Sequence, residues 1–131
     1  MKKVTIYIEA HYFKQYHVAY AGYVIKYKDH YKTLTTLSIN IDEQLICLDM
    51  LWQAVSTLNA GCYITVVSRK ELLTTDMREG KGSKLWEHLN SLRLEHGHRY
   101  SFQTSRSETD KYYLDAIHEA FASKKDKNPF Y

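Results

Sequence analysis

Residues 62–68 read CYITVVS, a short run that is apolar nearly throughout and lies between two helical patterns. A strand buried on both faces and joined to its neighbours through helices reads this way, which points to a parallel, central position in a sheet. The N-terminal third looks different. Residues 3–10, 17–28 and 31–39 carry three successive strand patterns, with Asp29–His30 as a hairpin turn, and no helical period intervenes. Three strands in an antiparallel meander, followed by strands that alternate with helices, define an α/β domain on a mixed sheet.

Helical spacing predicts a helix over 42–58, capped by Asp42 and ended at Asn59 and Gly61, with Leu48, Leu51, Val55 and Leu58 on one stripe. A short helix is expected over 69–78, with Ser68 as its cap. A longer helix is expected over 83–96, with Ser83 as its cap. A fifth strand at 98–103 and a last helix at 108–124 complete the order βββαβααβα, and 124–131 reads as a frayed tail. With one proline and no Gly/Ser-rich linker, residues 1–131 read as one domain.

Composition narrows function only a little. The net charge of +3 carries no case for nucleic-acid binding by itself, because the basic residues are spread along the chain without a run of like charge. The two cysteines, Cys47 and Cys62, form no CxxC pair and read as small buried hydrophobes. Twelve tyrosines suit half-exposed sheet faces and contact surfaces. No apolar stretch approaches the ~18 residues of a spanning helix, so no membrane partner is expected and a cytoplasmic location is inferred.

The first strand pattern, VTIYIEAH, sends Val4, Ile6 and Ile8 to one face and Thr5, Tyr7 and Glu9 to the other, and so ends in a single carboxylate. The following stretch from Tyr20 to Thr35, YAGYVIKYKDHYKTLT, resembles the second and third strands of the ribonuclease H family. The order of elements over residues 3–122 is also that family's. The resemblance implies a ribonuclease H-like five-stranded mixed sheet and cleavage of the RNA strand of an RNA–DNA hybrid. It implies four acids that hold two Mg²⁺ ions through hard oxygen ligands.

Carried over residue by residue, the resemblance gives an incomplete set. The first acid falls on Glu9, where EAH stands in place of Asp-Gly-Ser. The second falls on Gln44, on the inward stripe of the first helix, with Glu43 beside it. The third falls on Ser68, followed at once by Arg69, Lys70 and Glu71. The fourth falls on Asp115, in YLDAIHEAF. A histidine that the family carries in the loop before this helix is replaced by Ser105, and His88 and His118 read as surface residues. Only Glu9 and Asp115 are acidic, enough for one weakly held Mg²⁺ or Mn²⁺.

Three functions follow from this set. The first is a ribonuclease H-like protein that binds RNA–DNA hybrid or other nucleic acid with hydrolysis lost or much reduced. Its phosphate contacts would be Lys14, Arg69, Lys70, Lys81 and Lys84, and its sugar or base contacts Tyr12, Tyr16 and Trp86. The second is a divergent nuclease whose metal site is rebuilt by Glu43, Glu71 or Asp110. The third is a non-catalytic module with a protein partner.

Overall fold

In the computed structural model, which describes residues 1–39 and 42–126 with side chains to 121, one five-stranded sheet runs in the order β3-β2-β1-β4-β5. The strands are β1 (Lys2–Phe13), β2 (Val18–Tyr27), β3 (His30–Ser38), β4 (Cys62–Ser68) and β5 (Arg99–Thr104). The first three pair antiparallel, and β4 lies parallel to both β1 and β5. The sheet is therefore mixed, and the apolar run at 62–68 sits inside it, as its composition requires.

Helices α1 (Glu43–Ser56) and α3 (Ser83–His96) cover one face, and α4 (Glu108–Asp126) covers the other. Alternation along β1 feeds both faces. Val4, Ile6, Ile8 and Ala10 join Leu48, Leu51, Val55 and Leu89 in the core under α1 and α3. Tyr7 turns to the opposite side and packs with Tyr20, Val24 and Val67 against Leu114, Ile117 and Phe121 of α4. Gly22 lets α4 lie this close. A Cβ there would stand 2.8 Å from Cγ2 of Ile117 and 2.5 Å from the Leu34 carbonyl oxygen.

Local signals set most of the element ends. Asp42 caps α1, its Oδ1 accepting from the amides of Gln44 at 3.1 Å and Leu45 at 3.2 Å. Gly97, with φ of 73°, closes α3 in the left-handed conformation. Four expectations need correction. β1 runs on to Phe13 before a single 3-10 turn at Lys14–Tyr16. The hairpin loop is Lys28–Asp29, with Lys28 at φ 53°, since Tyr27 pairs with His30. Residues 69–74 are not helical, and α2 spans only Thr75–Glu79, so its cap is Thr74, which accepts from Met77 at 3.1 Å. Ser83 is the first residue of α3 rather than its cap, Gly82 preceding it with no side-chain bond.

Residues 127–131, the end of the tail read as frayed, lie outside the described residues. Both cysteines are buried, and burial pushes the Cys47 thiol up to about 12. No helix among the described residues is long and apolar enough to cross a membrane.

Candidate functional site

Parallel pairing of β1 with β4 ends with Ile8 opposite Ser68, so Glu9, still paired with Gly22 of β2, lies next to Arg69, the first residue beyond β4. Glu9 follows Tyr7 onto the α4 side, and there α4 presents Asp115. Glu9 is buried, its side chain 7% exposed, and its Oε1 accepts from the Ala10 amide at 3.2 Å. The guanidinium of Arg69 spans the two acids. Nη1 donates to Oε2 of Glu9, and Nη2 donates to Oδ1 of Asp115 at 2.7 Å.

Beside this bridge a cleft is lined by Glu9, Ala10, His11, Tyr20, Glu43, Arg69 and Lys70. Glu43, from the first turn of α1, enters it and carries its own cation, Lys70 Nζ at 3.6 Å. Tyr20 forms part of the wall, its hydroxyl 2.9 Å from Nδ1 of His118. Burial, with the negative charges of Glu43 and Asp115 nearby, pushes the Tyr20 phenol up to about 12, so it stays protonated at neutral pH.

The other positions singled out from sequence fall outside this cleft or are already engaged. Gln44 is not among the lining residues. Its Nε2 donates to the Glu71 carbonyl at 2.9 Å, and its Oε1 accepts from Lys81 at 3.0 Å. Ser68 Oγ donates to the Lys70 carbonyl at 2.5 Å, which helps turn the chain out of β4 instead of capping a helix. Glu71 lines a separate hollow with Leu72, Phe102 and Arg106. Asp110 is buried in a reciprocal cap of α4. Its amide donates to Ser107 Oγ and its Oδ2 accepts from the Arg106 amide, both at 3.1 Å. Ser105 uses its amide to bond the Ser68 carbonyl at 3.0 Å.

Among the basic candidates, Lys81 bonds Asp42 at 2.8 Å with Asp76 at 3.6 Å, while Lys14 and Lys84 are exposed. Tyr12 lies 3.3 Å from Nδ1 of His17 through its hydroxyl, and Tyr16 is exposed beside Phe13. Trp86 packs its ring on Phe102, and its indole nitrogen is buried. His118 is exposed apart from its bond to Tyr20, and His88 is exposed beside Trp52.

These residues do not fit a two-ion centre. Such a centre requires several carboxylates converging on open positions. Here the third position is a hydroxyl, a guanidinium lies between the two acids that remain, and an ammonium holds the third nearby carboxylate. No group of three or more His, Cys, Asp or Glu able to hold a metal ion occurs among the described residues.

The bridging role of Arg69 was not foreseen from sequence, which offered it as a phosphate contact. The signal lay in SRK at the very end of β4, since the ladder between that strand and its parallel partner β1 stops one residue before Glu9.

Neither a protein-family model nor a curated protein matches the chain. Solved structures do. The N-terminal RNase H domain of Rv2228c from Mycobacterium tuberculosis, determined as a fusion with maltose-binding protein, aligns with a TM-score of 0.65 at 14% identity, over 95% of this chain and 99% of that one. RNase H1 from the halophilic archaeon Halobacterium salinarum aligns at 0.62 and 14% identity, over 92% and 98%. LC11-RNase H1, solved in complex with an RNA/DNA hybrid, aligns at 0.60 and 13% identity, over 91% and 99%. Alignment at these TM-scores over nearly the whole of each chain shows that the chain has the ribonuclease H fold.

Proposed function

We propose that this protein is a ribonuclease H-like nucleic-acid-binding protein whose hydrolytic activity is lost or much reduced. The observation that carries the reading is Arg69, which joins Glu9 to Asp115 beside the C-terminal end of β4 on a ribonuclease H fold. Two-ion hydrolysis needs those carboxylates turned toward ions that activate water and stabilise the leaving oxygen. Here they are turned toward a guanidinium, which does neither.

Support for nucleic acid comes from the fold, one of whose solved members holds an RNA/DNA hybrid. Support from this chain's own cations is narrower. Arg69, Lys70 and Lys81 are committed to carboxylates, whereas Lys14 and Lys84 are exposed without a carboxylate partner among the described residues. Binding of backbone phosphates would rest first on these two, with Lys70 released from Glu43 at modest cost since both groups are partly exposed. Few phosphate contacts mean weak binding that falls with salt, with a slope of about −0.9 per phosphate neutralised on a B-form duplex.

The test is an end-labelled RNA–DNA hybrid incubated with Mg²⁺ and then Mn²⁺, followed by a salt-titrated mobility shift. The expected result is an intact hybrid and a salt-sensitive shift. Cleavage by the unmodified chain would overturn the loss of activity, and a missing or salt-insensitive shift would overturn the binding.

A second reading, a non-catalytic protein-interaction module, is favoured by Tyr31 and Tyr112, each 68% exposed and each with its ring edge-to-face with Tyr113. Exposed tyrosines of this kind are common at protein contacts. It gains if the hybrid does not bind.

A further inference from the structure

We propose that Arg69 is the resident cation of the acid site, standing where a divalent ion would stand between Glu9 and Asp115. The folded protein therefore takes up neither Mg²⁺ nor Mn²⁺ there.

The position follows from topology. Arg69 is the first residue beyond β4, and Ile8 pairs with Ser68, so its side chain starts beside Glu9 of β1 rather than reaching in from a distant loop. The bonding pattern matches the task. Two separate nitrogens of one planar group go to two carboxylates carried by different elements, β1 and α4. A planar fork can join two acids in this way, whereas a lysine ammonium is a single point charge on a flexible stem.

Charge explains why some cation must be present. Glu9 is 7% exposed, and a buried carboxylate is strongly unfavourable unless a positive group or hydrogen-bond donors compensate it. The Ala10 amide serves one of its oxygens, and Arg69 serves the other. The neighbouring carboxylate, Glu43, is met in the same way by Lys70 at 3.6 Å. Ser68 completes the arrangement. Its hydroxyl is spent on the Lys70 carbonyl, which fixes the turn that delivers Arg69 and Lys70 together.

An arriving divalent ion would have to displace the guanidinium, break two charge-assisted hydrogen bonds and enter beside the Lys70 ammonium. Two carboxylates with several retained waters can hold one Mg²⁺-like ion once the guanidinium is gone. Occupancy of the acid site by Arg69 requires no nucleic-acid binding.

The experiment titrates Mn²⁺ into the protein without nucleic acid, followed by calorimetry and by the loss of the free-ion electron paramagnetic resonance signal. Five chains are compared: the unmodified protein, Glu9→Gln, Arg69→Ala, Arg69→Gln, and Arg69→Ala combined with Glu9→Gln. The unmodified protein should show no saturable uptake. Each single Arg69 variant should gain one site, at least about tenfold tighter than anything the unmodified chain shows, which corresponds to ~1.4 kcal/mol. The added Glu9→Gln change should abolish it.

Uptake by the unmodified protein as tight as in the Arg69 variants would overturn the proposal. So would an Arg69 variant that keeps its far- and near-ultraviolet circular dichroism yet gains no ion. The unmodified chain decides by itself if the variants fail to fold, because one saturable Mn²⁺ site in it, removed by Glu9→Gln, refutes the resident-cation role. Hybrid binding is measured separately, so its failure would leave this result standing.

Discussion

Replacing Arg69 with alanine should destabilise the fold unequally through its two partners. Asp115 is 47% exposed and the Arg69 side chain 38%. Water screens that contact, which is worth at most about 1 kcal/mol. Glu9 is 7% exposed, and without Arg69 its Oε2 loses its partner while only Oε1 keeps one. Stranding a buried polar group costs about 1–3 kcal/mol, and breaking a fully buried ion pair about 3–5 kcal/mol. Because Arg69 is partly exposed, water can follow the deletion, which places the Glu9 share near 2 kcal/mol.

The sum for Arg69→Ala is then roughly 2.5 kcal/mol, or a melting temperature lower by about 8–12 °C for a chain of this size. Urea unfolding of a double-mutant cycle at pH 7 separates the shares. Coupling of Arg69 to Glu9, with Glu9→Gln as the second change, should be about 1.5–2 kcal/mol and nearly independent of salt. Coupling to Asp115, with Asp115→Asn, should stay below about 1 kcal/mol and shrink in 0.5 M salt. Equal couplings, or an Arg69→Ala cost under about 0.5 kcal/mol, would refute the unequal burial on which the numbers rest.

Other outcomes follow from the packing. Gly22→Ala would place a methyl 2.5 Å from the Leu34 carbonyl oxygen and 2.8 Å from Cγ2 of Ile117, so the backbone of β2 against β3 must shift, and urea unfolding should show a loss of about 1–3 kcal/mol. His98 is buried, with Nδ1 accepting from the Cys62 amide at 3.2 Å, and burial, then nearby His96, holds its pKa below the usual 6.5. The unfolded chain therefore binds that proton more readily. The stability contribution is complete above about pH 6.5 and is lost as pH falls toward the lower folded value. Urea midpoints measured between pH 7.5 and 5 should fall less in a His98→Leu variant than in the unmodified protein.

The fold was legible because its signals are local. Alternation along β1, the apolar run of β4, the Asp42 cap and the stripe of Leu48, Leu51 and Val55 each declare an element from within a few residues. The segment after β4 was not legible for the opposite reason. RKELLTTDMR has helix-forming residues, but Leu72 is buried, and the Glu71 carbonyl is taken by Gln44 from a distant helix, so tertiary contacts hold the chain out of helix until Thr74.

The site divides in the same way. Glu9 and Asp115 could be placed from their own strand and helix. Their connection through Arg69 spans separations of 60 and 46 residues, and no local pattern encodes it. Glu43 and Gln44 differ by one helical step of about 100°, enough to send one to the cleft and the other to Lys81.

The two faces of the sheet also differ in how firmly their helices are held. On one side α1 and α3 bury a continuous core with the sheet, whereas α4 is fastened by Leu114, Ile117 and Phe121 to a smaller tyrosine-rich patch. In native-state hydrogen exchange α4 should therefore be the layer that opens first, with β1, β4 and α1 exchanging only on global unfolding. Asp115 would leave with that layer, and Glu9 and Arg69 would remain paired on the slow-exchanging sheet. The acid site is thus divided between parts of the molecule with different lifetimes.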